Sequence, residues 1–445
     1  VCVKGAPDAL LGRASRMLAA DGGEEPLDES ARAAWAAENE RLAGQAMRVL
    51  ALATREIPAG AFDPAGELAG QVDELTLVGL LGLIDPPRPG VRDSMGLCRE
   101  AGIGVKMITG DHRTTASAIA RELGLDGEVI EASELGELDE AALAGRIDGA
   151  AVFARVTPED KVRIVRLLKA RGNVVAMTGD GVNDAPALKQ ADIGVAMGAS
   201  GTAVAREAAT MVLTDDNFAT IVRAVREGRA IFDNIVKFVR FQLSTNMGAI
   251  QTVLGSSLLG WPTPFTAIQI LWVNIIMDGP PAMSLGVEPA RPGTMREPPR
   301  DTSRSILTWP RLARLFFYGL TMAVGTLLVY RYGRPQGEPY AMTLAFTTFV
   351  LFQFFNIFNA RAEHHSALNR QFFRNRYLWL SLAAVVSLQV VVVHWAPAQA
   401  VFRTTDLAAG DWLLAVAVAS TVLVFDEARK LLLRRAASLR SRRAD

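Results

Sequence analysis

Apolar runs in the first half of the chain are short and stop at Gly, Pro or charge: "LTLVGLLGLID", "GIGVKMITGD", "AAVFARVTP", "GNVVAMTGDG", "ADIGVAMG" and "ATMVLTDD". Runs of this length suit buried strands of a parallel sheet. Between them lie helical patterns such as "PEDKVRIVRLLKARG", which sets Val162, Val165 and Leu167 or Leu168 on one face. Alternating buried strands and amphipathic helices predict a parallel α/β domain over residues 77–230. Residues 1–76 hold an Ala/Glu/Arg-rich helix, "DESARAAWAAENERLAGQA", and then the apolar "RVLALATRE". They read as the back part of a second, smaller domain.

From residue 231 the pattern changes. Six apolar segments follow, near 241–260, 265–285, 312–330, 340–360, 377–396 and 407–428. Each is close to the ~20 residues that a spanning helix needs, so residues 231–445 are expected to form a bundle of six membrane helices. Pro262 and Pro264 in "GWPTPF" separate the first two, and Asp411 and Asp426 intrude on the last. Arg229, Lys237 and Arg240 precede the first segment; Arg296, Arg300, Arg304, Arg311 and Arg314 fill the second loop, and Arg361, Arg370, Arg374 and Arg376 the fourth. The tail is basic as well, whereas the other three loops hold only Arg331, Arg334 and Arg403. This asymmetry predicts that the α/β domain, the even loops and the carboxyl terminus share the cytoplasmic side.

Composition sharpens the picture. Half of the 445 residues are hydrophobic, so part of the chain belongs in lipid. Lys plus Arg balances Asp plus Glu at 47 each, which argues against a nucleic-acid partner. Cys2 and Cys98 give neither a disulfide framework nor a paired metal spacing. "VCVKGAPDAL" at the start is no signal peptide and reads as the inside of a domain. The Ala, Arg and Gly content suggests a bacterial source, and hence a bacterial plasma membrane.

The most specific chemistry lies in "MTGDGVNDAPAL". The strand should end at Thr178, so Asp180, Asn183 and Asp184 cluster at the carboxyl edge of the sheet, where parallel sheets bind ligands. Such oxygen groups suit Mg²⁺ beside phosphate oxygens. "MITGD" sets Thr109, Gly110 and Asp111 at the end of another strand, where a hydroxyl and turn amides can hold phosphate. "TPEDK" puts Lys161 at a helix start; alone it reads as a surface lysine, here as a point charge for a phosphoryl group. Together the three motifs resemble the haloacid-dehalogenase-like (Rossmann-type) phosphotransferase fold.

With "KGAPD", "RVLALATRE", "GLIDPPRPGV", "FARVTPEDK" and "VLTDDNF" in order, the chain resembles P-type cation-transporting ATPases over nearly its whole length. The resemblance implies ATP and Mg²⁺ as cofactors. It implies a partial nucleotide-binding domain, a phosphorylation domain and six membrane helices. It assigns Lys4 and Gly5 to the nucleotide pocket, Arg48 to the ATP phosphates, and Arg155 to the same pocket. Asp85 and Arg88 fall at the hinge between the two domains. Thr109, Gly110, Asp111, Lys161, Asp180, Asn183 and Asp184 serve the phosphorylation site, with Asp180 on Mg²⁺. The family's D-K-T-G-T string, which carries the phosphorylated aspartate, does not occur in these 445 residues, nor does its T-G-E actuator motif. The chain therefore resembles the C-terminal portion of a pump whose N-terminal half is a required partner, and alone it should not turn over ATP.

In the apolar half, "LWVNIIMDGPP" places Asp278 in a region with no other charge from Phe241 to Val287. A carboxylate at bilayer depth costs roughly 2.5–3.5 kcal/mol. Asn274 is four residues earlier, on the same helical face, and Asn246 lies in the preceding segment. This hard-oxygen set suits Ca²⁺. "QILWVNIIMDGPPAMSLGVEP" and "VRFQLST" resemble the calcium-pump branch, especially the secretory-pathway Ca²⁺/Mn²⁺ type. Ala249 and Gln353 stand where two-site calcium pumps carry acids, which implies one ion per cycle. Met283 stands where the secretory-pathway type has Gln. Two other readings stay open: a pump for Mn²⁺ or H⁺, and a truncated, non-catalytic membrane protein.

Overall fold

The computed structural model describes residues 1–58, 72–84, 86–137, 140–301, 305–363, 365–368 and 372–441. The chain divides into two compact units, residues 1–225 with 295–299, and residues 226–294 with 300–445.

In the first unit, β1 (Cys2–Gly5), α1 (Pro7–Arg13), β2 (Ala14–Leu18), β3 (Glu24–Pro26), α2 (Glu29–Ala43), β4 (Met47–Thr54) and β5 (Leu75–Ile84) build one five-stranded sheet of order β1-β4-β5-β2-β3. Asp28 caps α2 by accepting from the Ala31 amide at 2.7 Å, and the helix and "RVLALATRE" strand fall where the pattern placed them. Strand β5 differs from expectation. Its apolar run was assigned to the parallel domain beginning at 77, yet it pairs antiparallel with β4 from Met47↔Ile84 to Thr54↔Thr76. Leu75 and Leu77 bury into a core with Leu10, Leu11, Ala51 and Ala53.

The remaining strands are all parallel. After α3 (Val91–Glu100) come β6 (Met107–Ile108), α4 (Arg113–Glu122), β7 (Glu128–Glu131), α5 (Ala132–Glu137), α6 (Glu140–Ile147), β8 (Ala150–Ala154), α7 (Pro158–Ala170), β9 (Ala176–Gly179), α8 (Ala185–Gln190), β10 (Ile193–Met197), α9 (Ala203–Ala208) and β11 (Met211–Leu213). They form two three-stranded sheets, β6-β8-β7 and β11-β10-β9, so β6 and β9 are each an end strand. Ile108 of β6 packs both on the Phe153–Ile164 core and on the core of Val165, Met177 and Leu188, which brings the two ends to shared packing. On α7 the buried face is Ile164, Val165 and Leu167, with Val162 and Leu168 at its margin. The alternating reading of this α/β region holds.

The second unit is helical. After α10 (Phe218–Leu258) come α11 (Ala267–Trp272), a π-helical turn (Val273–Met277), α12 (Gly279–Gly286), α13 (Trp309–Gly333), α14 (Glu338–Arg361), α15 (Arg376–His394), α16 (Ala396–Phe402) and α17 (Ala409–Ser441). Among the described residues, four helices are long and apolar enough to cross a membrane: Trp309–Gln336, Glu338–Arg361, Arg376–His394 and Ala409–Arg435. The first two of the six expected segments are helical but differ in kind. Ser244, Thr245, Thr252 and Ser256 are buried on α10, and the second segment is broken into three pieces. The acids of the last segment are matched. Asp411 accepts from Tyr340 at 2.6 Å and from the Ala408 amide at 2.8 Å; Asp426 accepts from Arg429 and lies 2.8 Å from Lys430.

Between α14 and α15, Glu363 takes Arg311 in a two-toothed pair at 2.9 and 3.0 Å, Arg314 at 2.7 Å and Arg240 at 3.5 Å. Burial pushes its carboxyl up, but the Arg311 hydrogen bond and the three guanidinium charges outweigh that and hold it at about 2, against 4.5 ordinarily. A carboxyl depressed in the folded state stabilises above its unfolded value. This contribution, on the order of 3 kcal/mol, is complete above pH 4.5 and fades as pH falls toward 2. Acid titration of unfolding in detergent should show that loss in the wild type, and Glu363→Gln should be less stable at pH 7 yet flat in that window. An unchanged acid profile in Glu363→Gln would count against this origin.

Candidate functional site

The carboxyl edge of β9 is organised around Asp184. Its Oδ2 accepts from the amides of Asp180 (3.3 Å) and Gly181 (3.1 Å), and its Oδ1 accepts from Lys161 Nζ at 2.6 Å. Asp184 is buried, and its partner Lys161 is part-buried. Lys161 reaches it because a capping box fixes the start of α7: Thr157 receives the Asp160 amide, and Asp160 receives the Thr157 amide at 2.9 Å. Gly179 is obligatory here, since a Cβ would come within 2.5 Å of the Asp184 Cβ. With Asp184 committed to amides and Lys161, the carboxylate of Asp180 and the amide of Asn183 stay exposed at the sheet edge. That donor set fits Mg²⁺, which binds through one or two carboxylates and phosphate oxygens.

At the end of β6, Thr109 Oγ1 donates to Asp111 Oδ2 at 2.9 Å and accepts the Asp111 amide at 3.1 Å. Its own amide bonds Phe153, and Val156 bonds back to its carbonyl at 3.2 Å, so the Thr109–Asp111 turn is locked to β8. Gly110 is exposed beside it. Arg48 on β4 donates to Asp111 through Nε at 3.1 Å and also through Nη2. Arg155, at φ 52° in the left-handed region, donates its amide to Asp111 O and its guanidinium to Asp8 at 3.3 Å. Each of these two cations is thus matched by a carboxylate of the same unit. Non-glycine residues at positive φ cluster at functional sites.

Other expected residues are more dispersed. Lys4 and Gly5 lie on β1 opposite Leu52 and Ala51. Arg88 donates to the carbonyl of Asp216. The Asp216 carboxylate binds the amides of Ser200 (2.8 Å) and Ala199 (3.0 Å); the Ser200 side chain first, and then these amides, bring it down to about 2. Asp85 lies outside the described residues.

In the helical unit, Asp278 follows the π-turn, its amide bonding Val273 O at 3.0 Å. Pro280 and Pro281 fall in the first turn of α12, where missing amides are tolerated. The carboxylate is 1% exposed; Gln242 Nε2 donates to Oδ2 at 3.3 Å, and Oδ1 is buried without a partner among the described residues. The structure does not gather the expected set around it. Asn274 is exposed and Asn246 half-buried, and neither makes a side-chain hydrogen bond among the described residues. Nor do three His, Cys, Asp or Glu residues converge anywhere in the described chain. Sequence reading missed Gln242. It also missed the tie from Thr245 Oγ1 to Gln353 Oε1 (2.5 Å), and that from Asn356 to Ser244 (2.7 Å). Polar residues at i, i+2 and i+3 on α10, within a stretch free of charge, were the available signal.

Known proteins resemble this chain along most of its length. The family described as cation transporting ATPase, C-terminus, matches residues 262–432, and haloacid dehalogenase-like hydrolase matches residues 8–192 and 162–225. The chain is 43% identical over 442 residues to the calcium-transporting ATPase of Bacillus subtilis, covering 98% of this chain and 49% of that protein. It is 41% identical over 417 residues to the calcium-transporting ATPase type 2C member 2 of Mus musculus, covering 91% and 42%. With the human type 2C member 1 it shares 40% over 406 residues, covering 90% and 43%. The chain spans about half the length of the curated relatives it matches. From its paired sheet-edge motifs, its apolar helices and these matches, the chain belongs to the P-type cation-transporting ATPases and corresponds to their C-terminal portion.

Proposed function

We propose that the chain is the C-terminal portion of an ATP-driven pump that moves Ca²⁺ across a bacterial plasma membrane, one ion per cycle, with the α/β unit and the carboxyl terminus cytoplasmic. The observation that carries this reading is Asp278: a buried carboxylate oxygen without a partner among the described residues, beside a broken helix, in a chain whose relatives reported above are named calcium-transporting. Asp278 is the charged ligand of the transported ion, and Asn274 and Asn246 approach it in the complete site. On the soluble side Thr109 and the Gly110 amide hold phosphate oxygens, Lys161 stabilises charge on the phosphoryl group, and Asp184 keeps Lys161 in place. Asp180, with Asn183, would hold Mg²⁺, which when bound neutralises phosphate charge. Lys4, Gly5, Arg48 and Arg155 face the nucleotide, and Asp85 and Arg88 form the hinge. The nucleophilic aspartate belongs to the D-K-T-G-T string of the missing half.

Two measurements test this. The purified 445-residue chain, incubated with labelled ATP and Mg²⁺ and quenched in acid, should carry no hydroxylamine-sensitive label; a stable label would refute the assignment of the nucleophile elsewhere. In a full-length reading frame containing D-K-T-G-T, phosphoenzyme should form only with Ca²⁺, and Asp180→Asn should reduce it by about two orders of magnitude. Activation by Mn²⁺ or H⁺ in place of Ca²⁺ would change the ion, and an unaltered Mg²⁺ dependence in Asp180→Asn would remove its role.

A further inference from the structure

In the helical unit many of the described cations are matched by carboxylates. Arg361 pairs with Glu288 at 2.6 Å, Arg240, Arg311 and Arg314 with Glu363, and Arg429 and Lys430 with Asp426. Arg374 and Arg376 are the contrast. Both are exposed, and among the described residues no carboxylate lies within ion-pair distance of either.

Their surroundings are aromatic and apolar. Phe373 is 74% exposed and stacks on Trp379 at 5.1 Å, with the rings 27° from parallel. Phe372 packs beneath, 5.2 Å from Trp379 and 4.8 Å from Phe358, and its carbonyl receives Trp379 Nε1 at 3.2 Å. The Arg376 guanidinium lies over the Tyr377 ring, 5.1 Å from its centre. Tyr377 and Leu380 are themselves more than half exposed. Asn375, buried at its centre, anchors the patch. Its Nδ2 donates to Ser284 O (2.8 Å) and Glu288 Oε2 (2.9 Å), and its Oδ1 accepts the Leu378 amide to cap α15.

The patch heads a helix whose outer face is apolar: Leu380, Leu388, Val390 and Val391 are exposed along one of the four candidate spans. Aromatic rings and basic side chains at the end of such a span sit at the level of lipid headgroups. We propose that Arg374 and Arg376, flanked by Phe373, Tyr377 and Leu380, bind the phosphate of an anionic glycerophospholipid in the adjacent leaflet. The two guanidiniums, without a carboxylate partner among the described residues and with Arg376 donating only to the Tyr377 hydroxyl at 3.3 Å, supply fork-shaped donors for phosphate. The exposed rings and Leu380 supply the apolar contact that an acyl chain satisfies and a soluble anion does not. Among the described residues no carboxylate pairs with either guanidinium, and Glu288 is taken up by Arg361 and Asn375, which favours net negative headgroups over zwitterionic ones. The inference needs only that this helix lies in a membrane, and is independent of which ion the pump carries.

The test uses the 445-residue chain in nanodiscs of phosphatidylcholine with phosphatidylglycerol, followed by detergent transfer and native mass spectrometry of retained lipid. The wild type should retain phosphatidylglycerol in preference to phosphatidylcholine. Arg374→Gln with Arg376→Gln should lower that retention roughly tenfold to thirtyfold, the loss expected for two juxtamembrane cations. Phe373→Ala, which changes no charge, should lower it less but measurably, and Arg331→Gln with Arg334→Gln should leave it unchanged. Quenching of Trp379 by brominated phosphatidylglycerol, read as the difference from Trp379→Phe, should vanish in the double arginine variant. Equal retention of both lipids, undiminished retention in the arginine pair, or full competition by glycerol phosphate would each overturn the proposal.

Discussion

Replacing Asp278 with Asn in the full-length protein is expected to abolish calcium-dependent phosphorylation, lowering apparent calcium affinity by about two orders of magnitude. Calcium takes roughly 6–8 oxygens, with carboxylates among them. From Phe241 to Val287 there is one carboxylate, and its Oδ1 is buried without a partner among the described residues. At the two positions where the resemblance expects acids for a second ion, Gln353 accepts from Thr245 and donates to the Phe349 carbonyl at 3.4 Å, and Ala249 has no side-chain oxygen. One ion per phosphorylatable site should therefore appear in equilibrium ⁴⁵Ca binding, and Ala249→Glu should alter binding without being needed for it. Two bound ions, or full calcium activation in Asp278→Asn, would defeat this account.

Asp184→Ala should have the other large effect, on stability as well as chemistry. The change removes three hydrogen bonds at once and leaves Lys161 charged, part-buried and unmatched. Breaking a buried pair by removing one partner costs about 3–5 kcal/mol, and the Asp180 and Gly181 amides lose their acceptor as well. Denaturant unfolding of the chain should shift by that amount, and the full-length phosphoenzyme should be lost. Asp184→Asn keeps an oxygen for the amides or for Lys161, so it should recover part of the stability but little phosphorylation. Equal stability of Asp184→Ala and wild type would show that the pair is not what holds the turn.

Much of this was readable from residues, because spacing and local chemistry agreed. The six apolar runs became strands, and Asp180, Asn183 and Asp184 fell at one strand end as their tight turn required. Strand β5 was misassigned because an apolar run of this kind looks alike in either sheet; only its pairing with β4 distinguishes them. The shared face expected for Asn274 and Asp278 assumed α-helical spacing. The wider turn at Val273–Met277 leaves one exposed and the other buried, and no periodicity announces such a turn. Asp426 reads as an intruder until its partners at i+3 and i+4, Arg429 and Lys430, are counted with Tyr318 from another helix.

The π-turn has a consequence of its own. It carries one residue more than an α-turn would, much as a crystal plane carries a dislocation. Such a defect glides: passing one residue along the helix exchanges a single backbone hydrogen bond and leaves both flanks intact. Each step re-registers only the residue it crosses, by about 100° and about 1.5 Å along the axis. Asp278 stands at the edge of that defect. One step of such a glide would turn the Asp278 carboxylate away from Gln242 without unwinding either flank.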